Sequence, residues 1–534
     1  MGNLPLQKKS NVDQEEFILS ALDSNEKSKL DFYSVEEYCK DVRLQGLKST
    51  WEKICSYVLN GNNEKNRLFN ISNLSELYEI GLAVVDKQHK KENGQYYTPN
   101  DVATVMAEWF DKVAGENICD VGCGTGNLVL SFFDYIGKER ATEIIRDGRL
   151  FLYEKDCVAL NICKTILLKK YGCQYSEKIH AMCGDFLDKK TVLPTNAKVI
   201  SNPPYSTIGE ICESWEKTDV LIKTSEYYSA FFEKILKQSV SSVIITPYSF
   251  SGGAKFYPLR KELNKHNGFI VSFDNVPGNI FCGKKHGVFN TNTSNSVRAA
   301  ITVVKNETGK KGFRLTPLIR FKNEERKNLL KCEVLESFLH NEHQVVWNEG
   351  KYYKCYNKLS DTYRLWTSKS NKKISDYVCK QGKYTMFVPN TCRYFTAASV
   401  DKMKRSGQIS LTFADEMVFY FVFCMINSSF AYWHWRLYDG GITYAKSLLL
   451  DLPLFYDLLT EEDRLFFKNI AEEMIENADN FIVKKNNVGV QENIKYPRKY
   501  RDSINERMLS ILGSVYEKSA FDFIHSNTAL KINV

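Results

Sequence analysis

The sequence predicts an α/β protein built on a mostly parallel sheet, and two features of residues 91–310 support this fold class. Short runs rich in β-branched and aromatic residues recur there, and helical stretches separate them. The strand-like runs are NICDVG, LFLYEKD, IHAMCGDF, KVISNPP, SVIITP and RAAITVVK. The helical stretches include DVATVMAEWFDKV, CVALNICKTILLKKY and SEYYSAFFEKILKQ. Such alternation is typical of a parallel sheet with helices on both faces.

The segments around this alternation have other patterns, which predict four regions in the 534-residue chain. Residues 1–90 are predicted to be helical, because VEEYCKDVRLQGLKSTWEKICSYVL and SNLSELYEIGLAVVDKQHKK carry apolar residues at helical spacing. Residues 91–310 form the predicted sheet domain. Residues 311–475, rich in aromatic and basic side chains, form a predicted α+β domain, and residues 476–534 are predicted to be a charged helical tail.

Composition excludes some classes of protein and allows others. A hydrophobic fraction of 43% argues against global disorder, and a net charge of +8 permits a nucleic-acid partner. The 15 cysteines show no C-x-x-C pairs, so we expect no zinc cluster and no disulfide framework. This cysteine usage, with no signal-peptide pattern and no long apolar run, favours a cytoplasmic protein without a membrane span or a metal.

The motif ICDVGCGTGNL, residues 118–128, predicts a ligand-binding loop between a strand and a helix. Gly122, Gly124 and Gly126 allow a tight turn and close approach of the backbone to a ligand. Dinucleotide-binding enzymes begin similarly. Here Asp120 precedes the first glycine, and this D-x-G-x-G-x-G form resembles the loops of S-adenosylmethionine sites, in which the amino-acid end of the ligand meets the loop.

Acidic and aromatic residues at the ends of the next two strands extend this predicted ligand site. Glu154, at the tip of LFLYEKD, is placed to accept both ribose hydroxyls of a nucleoside. Its neighbours Lys155 and Asp156 are expected to be solvated. Asp185 and Phe186, in CGDF, suit the exocyclic amine and the face of an adenine.

The fourth strand ends in Asn202, Pro203, Pro204 and Tyr205. Each proline fixes its own backbone, restricts the residue before it and removes a donor. The segment is therefore rigid and rich in hydrogen-bond acceptors, and an aromatic ring follows it.

The order GQYYTP, DVGCGTG, YEKD, CGDF, NPPY and VIITP, over roughly residues 75–305, resembles the gamma class of DNA adenine-N6 methyltransferases of restriction–modification systems. The resemblance implies a Rossmann-like S-adenosylmethionine-dependent methyltransferase sheet and, after it, a target-recognition domain. It also implies S-adenosylmethionine as cofactor, held by residues of GQYYTP and of the three strand ends. These residues are Tyr97, Thr98, Pro99, Asp120, Gly122, Gly124, Gly126, Glu154, Asp185 and Phe186.

In that family the Asn202–Tyr205 segment would be catalytic. The lone pair on adenine N6 is conjugated with the ring, so acceptors aimed at its hydrogens favour methyl transfer. The Asn202 side-chain oxygen and the Pro203 carbonyl are the predicted acceptors. The base must leave the duplex to reach them, and Tyr205 would stack on it. Phe281 is the favoured second aromatic, and Phe289 is the alternative.

The predicted partner is double-stranded DNA, with residues 311–475 selecting the site. The segment from Phe423 to Phe455 resembles part of a target-recognition domain, with Asn427, Ser428 and Pro453 at the matching places. RYFTAASVDKMKR and SKSNKK offer basic residues for phosphates. The first 90 residues show no paired-acid and lysine constellation of a nuclease, so we predict modification without cleavage, and a cognate restriction endonuclease would be a separate chain.

Three other functions remain open at this stage. N-P-P-Y also serves methylation of glutamine in proteins and of amino groups in RNA. The chain is also compatible with a modification subunit that needs a separate specificity subunit. A dehydrogenase is the weakest alternative, because it leaves N-P-P-Y without a role.

Overall fold

The computed structural model describes residues 98–282, 297–344, 350–405, 407–439, 441, 443–487 and 489–530, and in addition residues 32–34, 68–70, 75 and 78. Most of the predicted N-terminal helical region, Tyr97 and Phe289 lie outside these residues. Within that region, Phe32–Ser34 and Leu68–Asn70 pair as antiparallel strands, so the helical prediction is wrong there. Both triplets contain aromatic residues, which favour strands.

An eight-stranded sheet forms the centre of the molecule. Its strands, in chain order, are β1 Asn117–Val121, β2 Leu150–Glu154, β3 Ile179–Cys183, β4 Ala197–Ser201, β5 Ser241–Pro247, β6 Asn267–Phe273, β7 Ala299–Val304 and β8 Gly312–Leu315. The spatial order is β8-β6-β7-β5-β4-β1-β2-β3, and only β7 runs antiparallel to its neighbours. This arrangement confirms the predicted α/β class with a mostly parallel sheet.

The sheet differs from the prediction at two strands. The strand β6 was not among the predicted runs, although all of its residues are buried. The strand β8, Gly312–Leu315, pairs in parallel with β6 and lies beyond the boundary predicted at residue 310. Its residues Phe313 and Leu315 are fully buried, because the edge strand also covers the core.

Helices cover the two faces of the sheet. Their bounds are α1 Asn100–Asp111, α2 Asn127–Ile136, α3 Lys138–Arg146, α4 Cys157–Tyr171, α5 Asp219–Thr224, α6 Tyr227–Gln238 and α7 Tyr257–Leu263. In α1, for example, Val102, Met106 and Phe110 recur at helical spacing and are all buried, so they form the apolar face of the helix. Because β1 to β6 are parallel, their carboxyl ends and the loops that follow them meet at one edge of the sheet.

The chain beyond the sheet is an α+β region, as predicted. Its strands are β9 Lys372–Lys373, β10 Tyr384–Pro389, β11 Gln408–Phe413, β12 Pro453–Leu454, β13 Ile482–Asn487 and β14 Gly489–Ile494. Its helices are α8 Arg326–Leu329, α9 Cys332–Glu336, α10 Ser360–Lys369, α11 Glu416–Asn427, α12 Ser429–Tyr438, α13 Lys446–Leu450, α14 Glu461–Glu476, α15 Arg498–Leu512 and α16 Lys518–His525.

The predicted helical tail, residues 476–534, is only partly helical. The strands β13 and β14 pair as an antiparallel hairpin, with Asn487 opposite Gly489. The sequence IVKKNNVGVQENI places β-branched residues on both sides of an asparagine- and glycine-containing turn, which favours a hairpin over a helix. The following helices α15 and α16 bury Met508, Leu509 and Phe521 in the core, so this segment packs against the protein. Along the described part of the chain, no helix is long and apolar enough to cross a membrane.

Candidate active site

The glycine loop after β1 has the geometry that its sequence predicts. Gly122, Gly124 and Gly126 all have positive φ, at 72°, 54° and 93°. A Cβ on Gly126 would lie 2.5 Å from the Cys163 sulfur on α4, so the loop packs too closely for any side chain there. Because Gly126 directly precedes α2, this turn aims the N-terminus of that helix at the carboxyl edge of the sheet.

Asp120, at the end of β1, is fully buried beneath this loop. One carboxylate oxygen accepts a hydrogen bond of 3.1 Å from the backbone N–H of Val129 in α2. Burial raises the pKa of Asp120 to about 8, against the lowering effect of that bond. Its other oxygen and the hydroxyl of the loop residue Thr125 are buried and have no hydrogen-bond partner among the residues that the structure describes. Such orphaned polar atoms fit a site for a polar ligand.

Glu154, at the end of β2, is held by three backbone N–H groups. Gly124 donates to one carboxylate oxygen at 2.8 Å, and Lys155 and Asp156 both donate to the other at 2.9 Å. Burial raises the pKa of Glu154 to about 7 even though these bonds lower it. The glycine loop and the predicted ribose acid therefore form one hydrogen-bonded unit.

The prediction that Asp156 is solvated is wrong. Asp156 is buried and caps α4, where its carboxylate accepts hydrogen bonds from Val158 and Ala159. Its second carboxylate oxygen accepts a bond of 2.6 Å from the hydroxyl of Tyr78. An acid that follows a strand can begin the next helix, and in that role it turns inward to bind orphan backbone N–H groups.

The two predicted adenine-contacting residues follow β3. Asp185 accepts a bond of 2.9 Å from the backbone of Leu187 and lies 3.5 Å from the Lys155 amine. The ring of Phe186 is buried, with its centroid 5.1 Å from that of Phe231. The structure thus places both residues at the expected strand end, while their contact with an adenine stays a prediction.

The expectation of unpaired cysteines is wrong at one pair. Cys157 and Cys183 form a disulfide with their Cα atoms 5.4 Å apart. The pairing follows from the sheet register, in which Glu154 on β2 lies opposite Cys183 on β3 and Cys157 begins the helix after β2. The disulfide therefore joins the two strand ends that carry Glu154 and Asp185.

The Asn202–Tyr205 segment lies at the end of β4, next to β1. The Asn202 amide nitrogen donates to the Thr98 hydroxyl at 3.0 Å, which directs the amide oxygen away from Thr98. The Thr98 carbonyl in turn accepts a bond of 2.5 Å from Asn127, the first residue of α2. Ser201 bonds the Val121 carbonyl at 2.6 Å. These bonds join the predicted catalytic segment to the glycine loop.

Tyr205 lies among other aromatic residues. Its hydroxyl donates to the Ile245 carbonyl on β5 at 3.1 Å, and its ring meets Tyr228 edge-on at a centroid distance of 6.3 Å. The Phe281 ring lies 5.8 Å away at an interplanar angle of 67°. The structure thus brings together Tyr205 and the favoured second aromatic, Phe281, which is buried.

Asn427, Ser428 and Pro453, the residues that match a recognition domain, have structural contacts. The Asn427 oxygen accepts a bond of 2.9 Å from the Ala398 backbone, and Ser428 caps α12. Pro453 begins β12, which pairs with β9. Across the described residues, no cluster of three His, Cys, Asp or Glu side chains is arranged to hold a metal ion.

Sequence reasoning missed three contributions to this site. They are the capping role of Asp156, the Tyr78 hydroxyl and the bond from the Ser75 hydroxyl to the Thr125 carbonyl, at 3.3 Å. The capping role of Asp156 is indicated in the sequence by its position just before the helix that follows β2. The other two join residues far apart in sequence, which no local pattern reveals.

Comparison with known proteins agrees with this geometry. Residues 70–381 match the family model described as N-6 DNA Methylase, which is more than half of the chain. The chain belongs to the N-6 DNA methylase family. The family match includes the glycine loop, Glu154, Asp185 and the Asn202–Tyr205 segment, and it extends 66 residues past Leu315, the end of the sheet.

Three known proteins illustrate the range of similarity to this chain. It is 27% identical over 208 residues to the type II methyltransferase M.PstI of Providencia stuartii, covering 36% of this chain and 40% of the relative. It is 22% identical over 350 residues to the type I restriction enzyme MpnII methylase subunit of Mycoplasma pneumoniae, covering 60% and 58%. A nuclease-deletion mutant of the Type ISP restriction-modification enzyme LlaGI has a TM-score of 0.44 at 12% identity, covering 88% of this chain and 63% of that structure.

The matched part of this chain spans about half the length of its curated relatives. It covers 40% and 58% of the lengths of the two curated relatives.

Proposed function

We propose that this chain transfers a methyl group from S-adenosylmethionine to the N6 amino group of an adenine that is flipped out of double-stranded DNA. Membership of the N-6 DNA methylase family supports the reaction class. The observation that carries the proposal is the hydrogen-bonded path from Asn202 through Thr98 to Asn127 at the glycine loop. It connects a predicted catalytic segment with a predicted cofactor loop at one edge of the sheet.

The residues present suit S-adenosylmethionine. The orphaned oxygens of Asp120 and Thr125 suit polar groups of the ligand, and Glu154 suits its ribose hydroxyls. Asp185 and Phe186 follow the neighbouring strand, where an adenine would be bound. When bound, this cofactor supplies a methyl group on a positively charged sulfur. From the sequence, Tyr97, Thr98 and Pro99 would line the methionine end.

Asn202 and Pro203 would prepare the amino group of the substrate. Two acceptors, the Asn202 side-chain oxygen and the Pro203 carbonyl, would bind its two hydrogens and free its lone pair from the ring. The Asn202 amide nitrogen donates to the Thr98 hydroxyl, and this bond orients the amide so that its oxygen points away from Thr98. Alignment in a water-excluding pocket then lowers the barrier more than a strong base would.

Tyr205 and Phe281 would hold the flipped base between them. Their ring centroids lie 5.8 Å apart and the rings meet edge-on. A base stacked between two rings needs roughly 7 Å, twice an ordinary contact distance. We therefore expect the two rings to separate and become more parallel when the base enters.

The region after the sheet would select the DNA site. Because residues 312–315 form β8, the proposed recognition domain begins at residue 316 and extends to residue 475. The type I relative is a methylase subunit by name, which favours one further possibility: a separate specificity subunit as partner. A cognate restriction endonuclease is the other proposed partner. A DNA substrate would place the protein with the nucleoid in the bacterial cytoplasm.

The test is incubation of the purified chain with methyl-labelled S-adenosylmethionine and, in parallel, duplex DNA of mixed sequence, structured RNA or a glutamine-containing protein. We expect label in DNA alone, recovered as N6-methyladenine. Label in RNA or protein would show a different acceptor. Label in DNA that appears only after a specificity subunit is added would show that the chain works as a subunit. No label in DNA with or without that subunit would contradict the proposal.

A further inference from the structure

Two residues that precede the sheet by some 40 positions contact the turns that carry the predicted cofactor site. Tyr78 and Ser75 are both helical and lie three positions apart, so they share one face. The Tyr78 hydroxyl donates to Asp156 at 2.6 Å, and the Ser75 hydroxyl donates to the Thr125 carbonyl at 3.3 Å. One helical face therefore touches both the glycine loop after β1 and the turn after β2.

Tyr78 is connected through Asp156 to Glu154, the residue predicted to bind the ribose. Asp156 uses one carboxylate oxygen to cap α4 and the other to accept from Tyr78. The backbone N–H of the same residue donates to Glu154 at 2.9 Å. A shift of the Asp156 side chain would therefore move one of the donors that set the orientation of the Glu154 carboxylate.

Burial makes this arrangement costly to disturb. Tyr78 is 2% exposed and Asp156 is 7% exposed. Without the hydroxyl, a buried carboxylate oxygen would lose a charge-assisted hydrogen bond that water cannot easily replace. The turn that carries Glu154 would then relax toward solvent.

We infer that Tyr78, through Asp156, and Ser75, through Thr125, are positioning residues of the cofactor site, contributed by the segment that precedes the methyltransferase sheet. The inference rests on the proposed use of S-adenosylmethionine at Glu154. It adds a role for this segment in cofactor affinity.

The test compares Tyr78→Phe with the full unaltered chain by calorimetric titration of S-adenosylmethionine. We expect the variant to bind about tenfold more weakly. With DNA as substrate, its KM for S-adenosylmethionine should rise by a similar factor, while kcat and the KM for DNA stay within about twofold. Ser75→Ala, which removes a neutral bond, should weaken binding about threefold.

Tyr500→Phe is the matched control. Tyr500 is also buried and donates to a carboxylate, that of Glu473, at 2.6 Å, but it lies on α15. It should leave cofactor affinity unchanged. Wild-type affinity in both Tyr78→Phe and Ser75→Ala, or equal losses in Tyr78→Phe and Tyr500→Phe, would overturn the inference. If the unaltered chain bound no S-adenosylmethionine, the proposed function itself would fail, and this inference with it.

Discussion

Hydrogen bonds from and to neighbouring residues orient the side chains of Glu154 and Asn202 in this site. Glu154 accepts three backbone N–H groups, one from the glycine loop and two from the start of the turn before α4. The Asn202 amide nitrogen donates a hydrogen bond to the Thr98 hydroxyl. In both cases the backbone or a short side chain orients the oxygen atoms that we propose as ligand contacts, so that ligand binding would need little reorganisation.

The raised pKa of Glu154, about 7, predicts that cofactor affinity depends on pH. The ionised carboxylate is the form that accepts two ribose hydroxyls, and below pH 7 the group is mostly protonated. The dissociation constant for S-adenosylmethionine should therefore fall as pH rises from 6 to 8, by up to about tenfold per unit on the acid side. Titration calorimetry at several pH values measures it.

Glu154→Gln provides the control for this pH dependence. The amide cannot ionise, so its weaker binding should be nearly flat over the same range. An equally steep profile in the variant would assign the dependence to another group, and Asp120, with a pKa raised to about 8, is the first to examine.

The site residues that the sequence predicted correctly in position all follow a strand directly. Asp120, Glu154, Asp185 and Asn202 end strands or lie just beyond them, so strand assignment and the rule for parallel sheets were sufficient. Asp156 was misassigned because local composition does not separate a solvated acid from a helix cap. Tyr78 was beyond prediction, since its partner is 78 positions away in the sequence.

At the level of elements, the turn from β1 into α2 combines an unusual backbone with close packing. Gly126 has φ of 93° and ψ of 19°, a left-handed conformation, and its α-carbon faces the Cys163 sulfur on α4. The two constraints act together, because an L-residue would meet backbone strain and a steric clash at once.

Gly126→Ala should therefore disrupt the cofactor loop. We expect a loss of roughly 2–4 kcal/mol in the free energy of unfolding and a large loss of cofactor binding. Gly513→Ala, after α15, is the control: its φ of 73° and ψ of 30° are also left-handed, yet a Cβ there would meet only the Lys369 amine, at 3.6 Å. That change should cost about 1–2 kcal/mol and spare binding. Equal effects of both changes, measured by chemical denaturation and calorimetry, would contradict the packing argument.

Elements with a clear period were predictable, and elements defined by tertiary pairing were not. The alternation of strands and helices indicated the sheet and its class. The strand β6 was not among the predicted runs because NGFIVSF follows a short helix, and its apolar run alone does not distinguish a strand from a helix. The β13–β14 hairpin was missed because the charged residues in IVKKNNVGVQENI suggested a helical tail. Its β-branched residues and its turn favour paired strands instead.

Across the whole molecule, a buried cluster of charges joins the sheet to the C-terminal region. Asp274, fully buried after β6, accepts bonds from Arg298 and Arg320 at 2.8 Å and from Arg436 on α12 at 2.6 Å. Arg436 also donates to the Leu318 carbonyl at 2.7 Å. Burial alone would raise the pKa of Asp274, but the three arginines together hold it well below its usual range.

Asp274→Asn should destabilise the protein by roughly 3–5 kcal/mol, because it leaves three buried guanidinium groups without a counter-charge. Because the native pKa of Asp274 is depressed, its contribution to stability is present above about pH 4, the pKa of an unfolded aspartate, and is lost as pH falls further. Urea unfolding at pH 7 and at lower pH measures both effects.

Asp147→Asn is the surface comparison for this cluster. Asp147 also lies between two arginines, Arg146 and Arg149, each at 3.2 Å, but it is exposed to solvent. Its replacement should leave the free energy of unfolding nearly unchanged, because solvent screens an exposed ion pair. A similar cost for the two aspartates would show that burial is not the source of the effect at Asp274.

The central claim is that Asn202 acts on the methyl acceptor rather than on the cofactor. The most direct measurement is the yield of N6-methyladenine in duplex DNA from the unaltered chain and from Asn202→Ala, with the S-adenosylmethionine affinity of each determined alongside. We predict that Asn202→Ala abolishes methylation, by at least about a thousandfold, while cofactor affinity changes less than about threefold. Retained methylation, or a loss of cofactor affinity as large as the loss of methylation, would contradict the account.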